Sequence, residues 1–84
     1  MQPAVGRIIH YTLPDGLRYG RTTRPAIIVQ VWSQIDPTST VHTGLVNAAV
    51  FLDGTNDEGL PPHAYSIPYD ASGTPGTWRW PERN

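Results

Sequence analysis

The stretch AIIVQVWS, residues 26–33, decides how the rest of the chain is read. Ile27, Ile28, Val29 and Val31 are β-branched, a side-chain shape that loses freedom in a helix and packs well on a pleated surface. The run therefore reads as the central strand of a sheet, in which Ile28 and Trp32 cannot both face solvent. Upstream, VGRIIHYTL (5–13) alternates so that Val5, Arg7, Ile9, Tyr11 and Leu13 share one face, while Gly6, Ile8, His10 and Thr12 share the other. Both faces carry apolar residues.

Downstream the same pattern of short extended pieces continues. LVNAAVFLD (45–53) is a third strand that stops at Asp53-Gly54, a dipeptide suited to a tight hairpin. HAYSIPY (63–69) is a fourth, with Tyr65, Ile67 and Tyr69 expected on one face, and Pro68 assigns it to an edge or a bulge. TWRW (77–80) is a last short strand after the turn DASGTPG. Nine prolines and eight glycines in 84 residues leave no segment with three turns of helical periodicity. The expectation is one all-β domain over residues 1–84, with strands near 4–13, 26–33, 45–53, 63–69 and 77–80. Five strands suit a small SH3-like barrel better than a sandwich, which needs about seven.

A domain this small buries only about 60% of the surface its unfolded chain exposes, so its core needs a supplement. Cysteine is absent, which removes disulfides and thiolate zinc sites and leaves self-association as the expected supplement. The net charge of −1 gives no broad cationic surface for duplex DNA, so general nucleic-acid binding is not expected. All six cations are arginine, whose planar fork grips phosphate or carboxylate bidentately; codon bias in a GC-rich genome gives the same composition. No apolar run reaches the roughly 20 residues that span a bilayer, and MQPAVGRII lacks the pattern of a signal peptide. A cytoplasmic location is the expectation.

Catalytic constellations are missing from the pattern. His10, His42 and His63 fall on different segments at no metal-ligand spacing, and the serines at 33, 39, 66 and 72 sit in no nucleophile elbow. Asp53, Asp57 and Glu58 surround a glycine loop; they read as a solvated turn or, loosely, as oxygen ligands for calcium without the twelve-residue hand. Neither an enzyme activity, a metal nor a cofactor is expected.

The closing GTPGTWRWPERN (73–84) carries the strongest signal. On a strand Trp78 and Trp80 project to one side and Arg79 to the other. Either both rings cap the open end of a small barrel, or one packs inward and the other clamps a planar anionic ligand, a nucleotide, by stacking and bidentate hydrogen bonds. In the second reading Trp80 is the ligand-facing ring, since Pro81 ends normal pairing there, and Trp78, Arg79, Arg24, Tyr19 and Tyr69 complete the wall, with Tyr65 a further candidate. An oligomer could draw such a pocket from two protomers.

Two resemblances bear on the function. GRIIHYTLP (6–14), RPAIIVQVW (24–32), VFLDGTND (50–57) and above all GTWRWPE (76–82) resemble a group of short proteins encoded in tailed-phage and prophage genomes, over most of the chain. That likeness implies a phage accessory protein acting in an infected cell, for example by sequestering a nucleotide signal of host defence. VGRIIHY (5–11) followed by RPAIIV (24–29) resembles the opening of the MazF/PemK ribonuclease toxins, which are SH3-like barrel dimers, over about the first third of the chain. Arg24 would match the arginine that opens the toxins' second strand, while their later catalytic threonine and acidic residues find no matching motif. A MazF-like endoribonuclease and a virion or assembly component acting through protein contacts are the alternatives.

Overall fold

The structure, a computed structural model, describes residues 1–14, 20–39 and 43–81. Among them the chain forms five strands, β1 (Ile8–Thr12), β2 (Thr23–Val31), β3 (Val46–Val50), β4 (His63–Ile67) and β5 (Trp78–Arg79). They build one antiparallel sheet in the order β4-β3-β2-β1-β5, so the β-branched run does occupy the centre. β2 starts at Thr23 rather than Ala26 because Thr23, Arg24 and Pro25 pair with Thr12, Tyr11 and His10.

Alternation along the strands sorts the two faces. Ile9, Tyr11, Leu13, Ala26, Ile28, Val46, Ala48 and Val50 point inward and are buried. The alanines among them leave room for the sheet to curl over the large side chains. Closure comes from the C-terminal end of β4. The Trp78 amide donates to the Pro68 carbonyl at 3.0 Å, the Asp70 amide donates to the Trp78 carbonyl at 2.9 Å, and Tyr69 and Trp78 form a parallel bridge. The two edges of the sheet meet at this point, and the sheet curls into a half-barrel around one apolar core.

Two local expectations are corrected. Tyr65, Ile67 and Tyr69 do not share a face: Ile67 is buried and Tyr65 is exposed, because the β3–β4 register shifts between Val46 and Ala48. Ser66 takes a φ of 52° there, and its amide donates to the Asn47 side-chain oxygen at 2.7 Å. A bulge of this kind turns one side chain to the opposite face. The second correction concerns Asp53-Gly54, which makes no tight hairpin; β3 ends at Val50 and a longer loop runs to β4. No helix among the described residues is long and apolar enough to cross a membrane.

Candidate functional site

Trp78 answers half of the question raised by the closing motif. Its side chain is fully buried, and its indole N–H donates to the Gly44 carbonyl at 2.7 Å, so the polar tip of the ring is satisfied inside the core. Gly44 makes that approach possible. Its φ is 70°, and a Cβ there would lie 2.9 Å from both Ile35 Cγ1 and Tyr69 Cβ. Trp78 also packs edge-on against Tyr69 at 4.9 Å and against Trp80 at 5.0 Å between ring centroids. The three rings form one aromatic column that closes an end of the half-barrel.

Trp80 is different. It lies on the same side as Trp78, as the alternation requires, but is only partly buried. Its ring stands at 90° to that of Trp78, which holds its orientation from below. The rest of the ring borders an open cleft of about 570 Å³ shared with Met1, Gly6, Arg7, Ile8 and Pro81. Arg7 is exposed, and among the described residues its guanidinium makes no hydrogen bond or ion pair. A fixed aromatic face beside an uncommitted guanidinium can stack a planar group and bind an anionic one. The cleft volume falls within the range of small-molecule sites, whereas the more enclosed apolar cavity under Tyr11, Leu13, Val50 and Leu60 holds only about 50 Å³.

Arg24 is engaged elsewhere. It enters from the inward face of β2, is buried, and spends all five donors on the protein. Nε donates to Asp57 at 2.9 Å, Nη1 to the Arg21 and Thr23 carbonyls at 3.0 Å each, and Nη2 to Asp53 at 3.0 Å and to Asn56. The loop Asp53–Asp57 therefore folds around a guanidinium: Asp53 and Glu58 stay exposed, as in a solvated turn, while Asp57 is drawn inside. Asp57 is buried there as well, accepting also from the Asp53 and Gly54 amides at 2.9 Å. Burial pushes the Asp57 pKa up, but the hydrogen bonds from Arg24, Asp53 and Gly54 outweigh it and hold the carboxyl below the usual carboxylate range. Asp53 is lowered too, chiefly by the Thr55 backbone and side-chain hydrogen bonds.

The remaining expected wall residues do not converge on the cleft. Arg79 faces outward and donates to Thr12 Oγ1 at 3.2 Å and Thr23 Oγ1 at 3.3 Å. Tyr69 supports Trp78 from inside, and Tyr19 lies outside the described residues. Tyr65 is on the opposite surface. Arg7 was missed by sequence reasoning, although its place on the strand face of Ile9 and Tyr11 was the available signal. A second open cleft, lined by His10, Gly20, Arg21, Thr22, Thr23 and Pro25, is polar and has no large aromatic platform for stacking. Among the described residues no three His, Cys, Asp or Glu side chains gather as a metal site. Compared with known proteins, the chain matches no family model, and neither a curated protein nor a solved structure is found similar to it.

Proposed function

We propose that this chain is a non-enzymatic binding protein, an SH3-like barrel that holds a small planar, anionic ligand of the nucleotide class in the open cleft that Trp80 and Arg7 both line. The observation that carries the reading is the Trp80 ring, partly exposed over an open cleft, fixed edge-on by a buried tryptophan and bordered by a guanidinium with no protein partner among the described residues. A base would stack on the indole and a phosphate would take the arginine fork. The likeness to phage-encoded proteins gives the role a setting: an accessory protein that withdraws a nucleotide signal in an infected cell needs affinity and no chemistry. The ribonuclease reading draws less support, because Arg24, the residue it would use, has every donor engaged within the fold.

A native mass spectrum of the protein purified from phage-infected cells tests this reading. The expected result is a retained mass in the nucleotide range that is absent from Trp80→Ala. A wild-type protein that carries no ligand, and that binds none of a panel of linear and cyclic nucleotides in solution, would overturn it.

A further inference from the structure

The outward face of the sheet is polar at its β5 end, where Arg79 meets Thr12 and Thr23, but apolar across the rest, where a free surface would be expected to be polar. Across it, the register aligns His63 of β4, Ala49 of β3, Ile27 of β2 and Ile8 of β1 in one row. Phe51 lies beside this row, its amide donating to the Pro25 carbonyl at 3.0 Å. Val29 sits at the β2 register shift, with Trp32 beyond it. Ile8, Val29, Trp32, Phe51 and Tyr65 are 60, 47, 58, 54 and 70% exposed. Taking about 200 Å² for each fully exposed side chain, they present roughly 600 Å² of apolar surface, at the upper limit for the largest patch on a typical monomer. The carboxylates Asp36, Asp53, Asp57, Glu58 and Asp70 all lie in loops, and none of the rows just described contains an acidic or an arginine side chain.

Part of this surface is held rigid. The Trp32 indole N–H donates to the Asn47 side-chain oxygen at 2.9 Å, the same oxygen that takes the Ser66 amide next to Tyr65. His63 and Tyr65 stack at 6.4 Å. Exposed aromatics whose orientation is already set lose little freedom on docking, as befits the anchors of an interface.

We infer that this face is a two-fold interface between two copies of the chain. Three observations select a second copy as the occupant. Two such faces together remove about 1,200 Å² of apolar surface, the lower end of what a stable specific interface buries, before Gln30, His10 and Pro25 contribute. Ile8, Val29, Trp32, Phe51 and Tyr65 are themselves uncharged, and Arg79, at the border of the patch beside His10, is tied to Thr12 and Thr23, so two copies meet across a two-fold with like charge confined to that border. The β4 edge is the other route to self-association, but Pro61, Pro62 and Pro68 flank it and the Ser66 bulge interrupts it, so edge-to-edge pairing is blocked. The interface also supplies what a core this small lacks, burial beyond its own inner face. This inference uses neither Trp80 nor Arg7, although Ile8 borders both the cleft and this face.

Sedimentation equilibrium of the full chain and of three variants is the test, with circular dichroism and thermal melting to establish that each is folded. The wild type is expected at twice its 9.3 kDa mass at roughly 10 µM, a concentration suited to micromolar or tighter association. Phe51→Glu and Tyr65→Glu, both at exposed positions, are expected to weaken association at least about 100-fold, as loss of an interface anchor does. Ala71→Glu, in the loop before β5, is expected to associate like the wild type. A wild type that stays at 9.3 kDa at roughly 100 µM overturns the inference and gives the face to a different partner. Dimers that persist undiminished in folded Phe51→Glu and Tyr65→Glu overturn it as well, because self-association then uses another surface.

Discussion

Replacing Arg24 by methionine keeps most of the side-chain volume and removes the guanidinium around which the loop from Asp53 to Asp57 is folded. In the native chain that group gives five hydrogen bonds, two of them to carboxylates, from a side chain only 3% exposed. Its loss leaves the buried Asp57 carboxylate with the Asp53 and Gly54 amides as its remaining donors. Removing one partner of a buried ion pair costs about 3–5 kcal/mol, a large fraction of the roughly 5–15 kcal/mol that holds a domain together. For a domain of this length that is a fall in melting temperature of about 15–30 °C. Arg24→Lys restores the charge but offers three donors from a single point to acceptors spread around a planar fork, so it should recover only part of the loss.

Urea denaturation followed by tryptophan fluorescence reads the difference, and its pH dependence adds a second signature. The folded pKa values of Asp53 and Asp57 are depressed, so the stability they contribute is present above the unfolded carboxylate pKa of about 3.9 and is lost as pH falls through the lower folded values. The gap between wild type and Arg24→Met should therefore narrow below about pH 4, where the carboxylates protonate. An Arg24→Met protein within about 1 kcal/mol of wild type at pH 7 would refute the role given to the arginine and its loop.

Three further substitutions separate core from surface around the closing motif and the glycine that receives its buried tryptophan. Trp78→Ala should cost about 3–5 kcal/mol, since it empties a fully buried site and leaves the Gly44 carbonyl without its indole donor; a folded, near-native variant in a urea titration would contradict that. Gly44→Ala should lower stability by more than about 2 kcal/mol through left-handed strain and contact with Ile35 and Tyr69, measured by the same titration. Arg79→Ala should cost only about 1 kcal/mol, because its two hydrogen bonds to Thr12 and Thr23 are long and its side chain is only partly buried; a loss as large as that of Trp78→Ala would mean that the outer face depends on it.

The strands were legible because their signals are local. β-branched runs, alternation and Gly/Pro punctuation act within a few residues, and they give all five elements and the central position of β2. The facing of Tyr65 was not legible, since a bulge depends on how Asn47 meets Ser66 across strands, and strict alternation carries no trace of that meeting. Burial of Asp57 was hidden for a similar reason. An aspartate in a glycine-rich loop reads as solvated until the chain brings Arg24, 33 residues away, against it. Of the closing motif, the alternation of Trp78, Arg79 and Trp80 was correct, whereas the arginine beside Trp80 proved to be Arg7, contributed by the segment just before β1.

Thermal melting of the wild type and of Trp80→Ala, each with and without a panel of linear and cyclic nucleotides, tests the proposed function most directly. Trp80 is partly exposed where Trp78 is fully buried, so its alanine variant should cost less than Trp78→Ala and remain folded. A nucleotide present at 100 times its Kd adds about 2.7 kcal/mol to the folded state, and the wild type should melt roughly 15 °C higher with it. Trp80→Ala should lose most of that increase, because a single stacking contact is worth about 1–3 kcal/mol. A wild type that no nucleotide stabilises, or a Trp80→Ala protein that responds as fully as the wild type, would contradict the account.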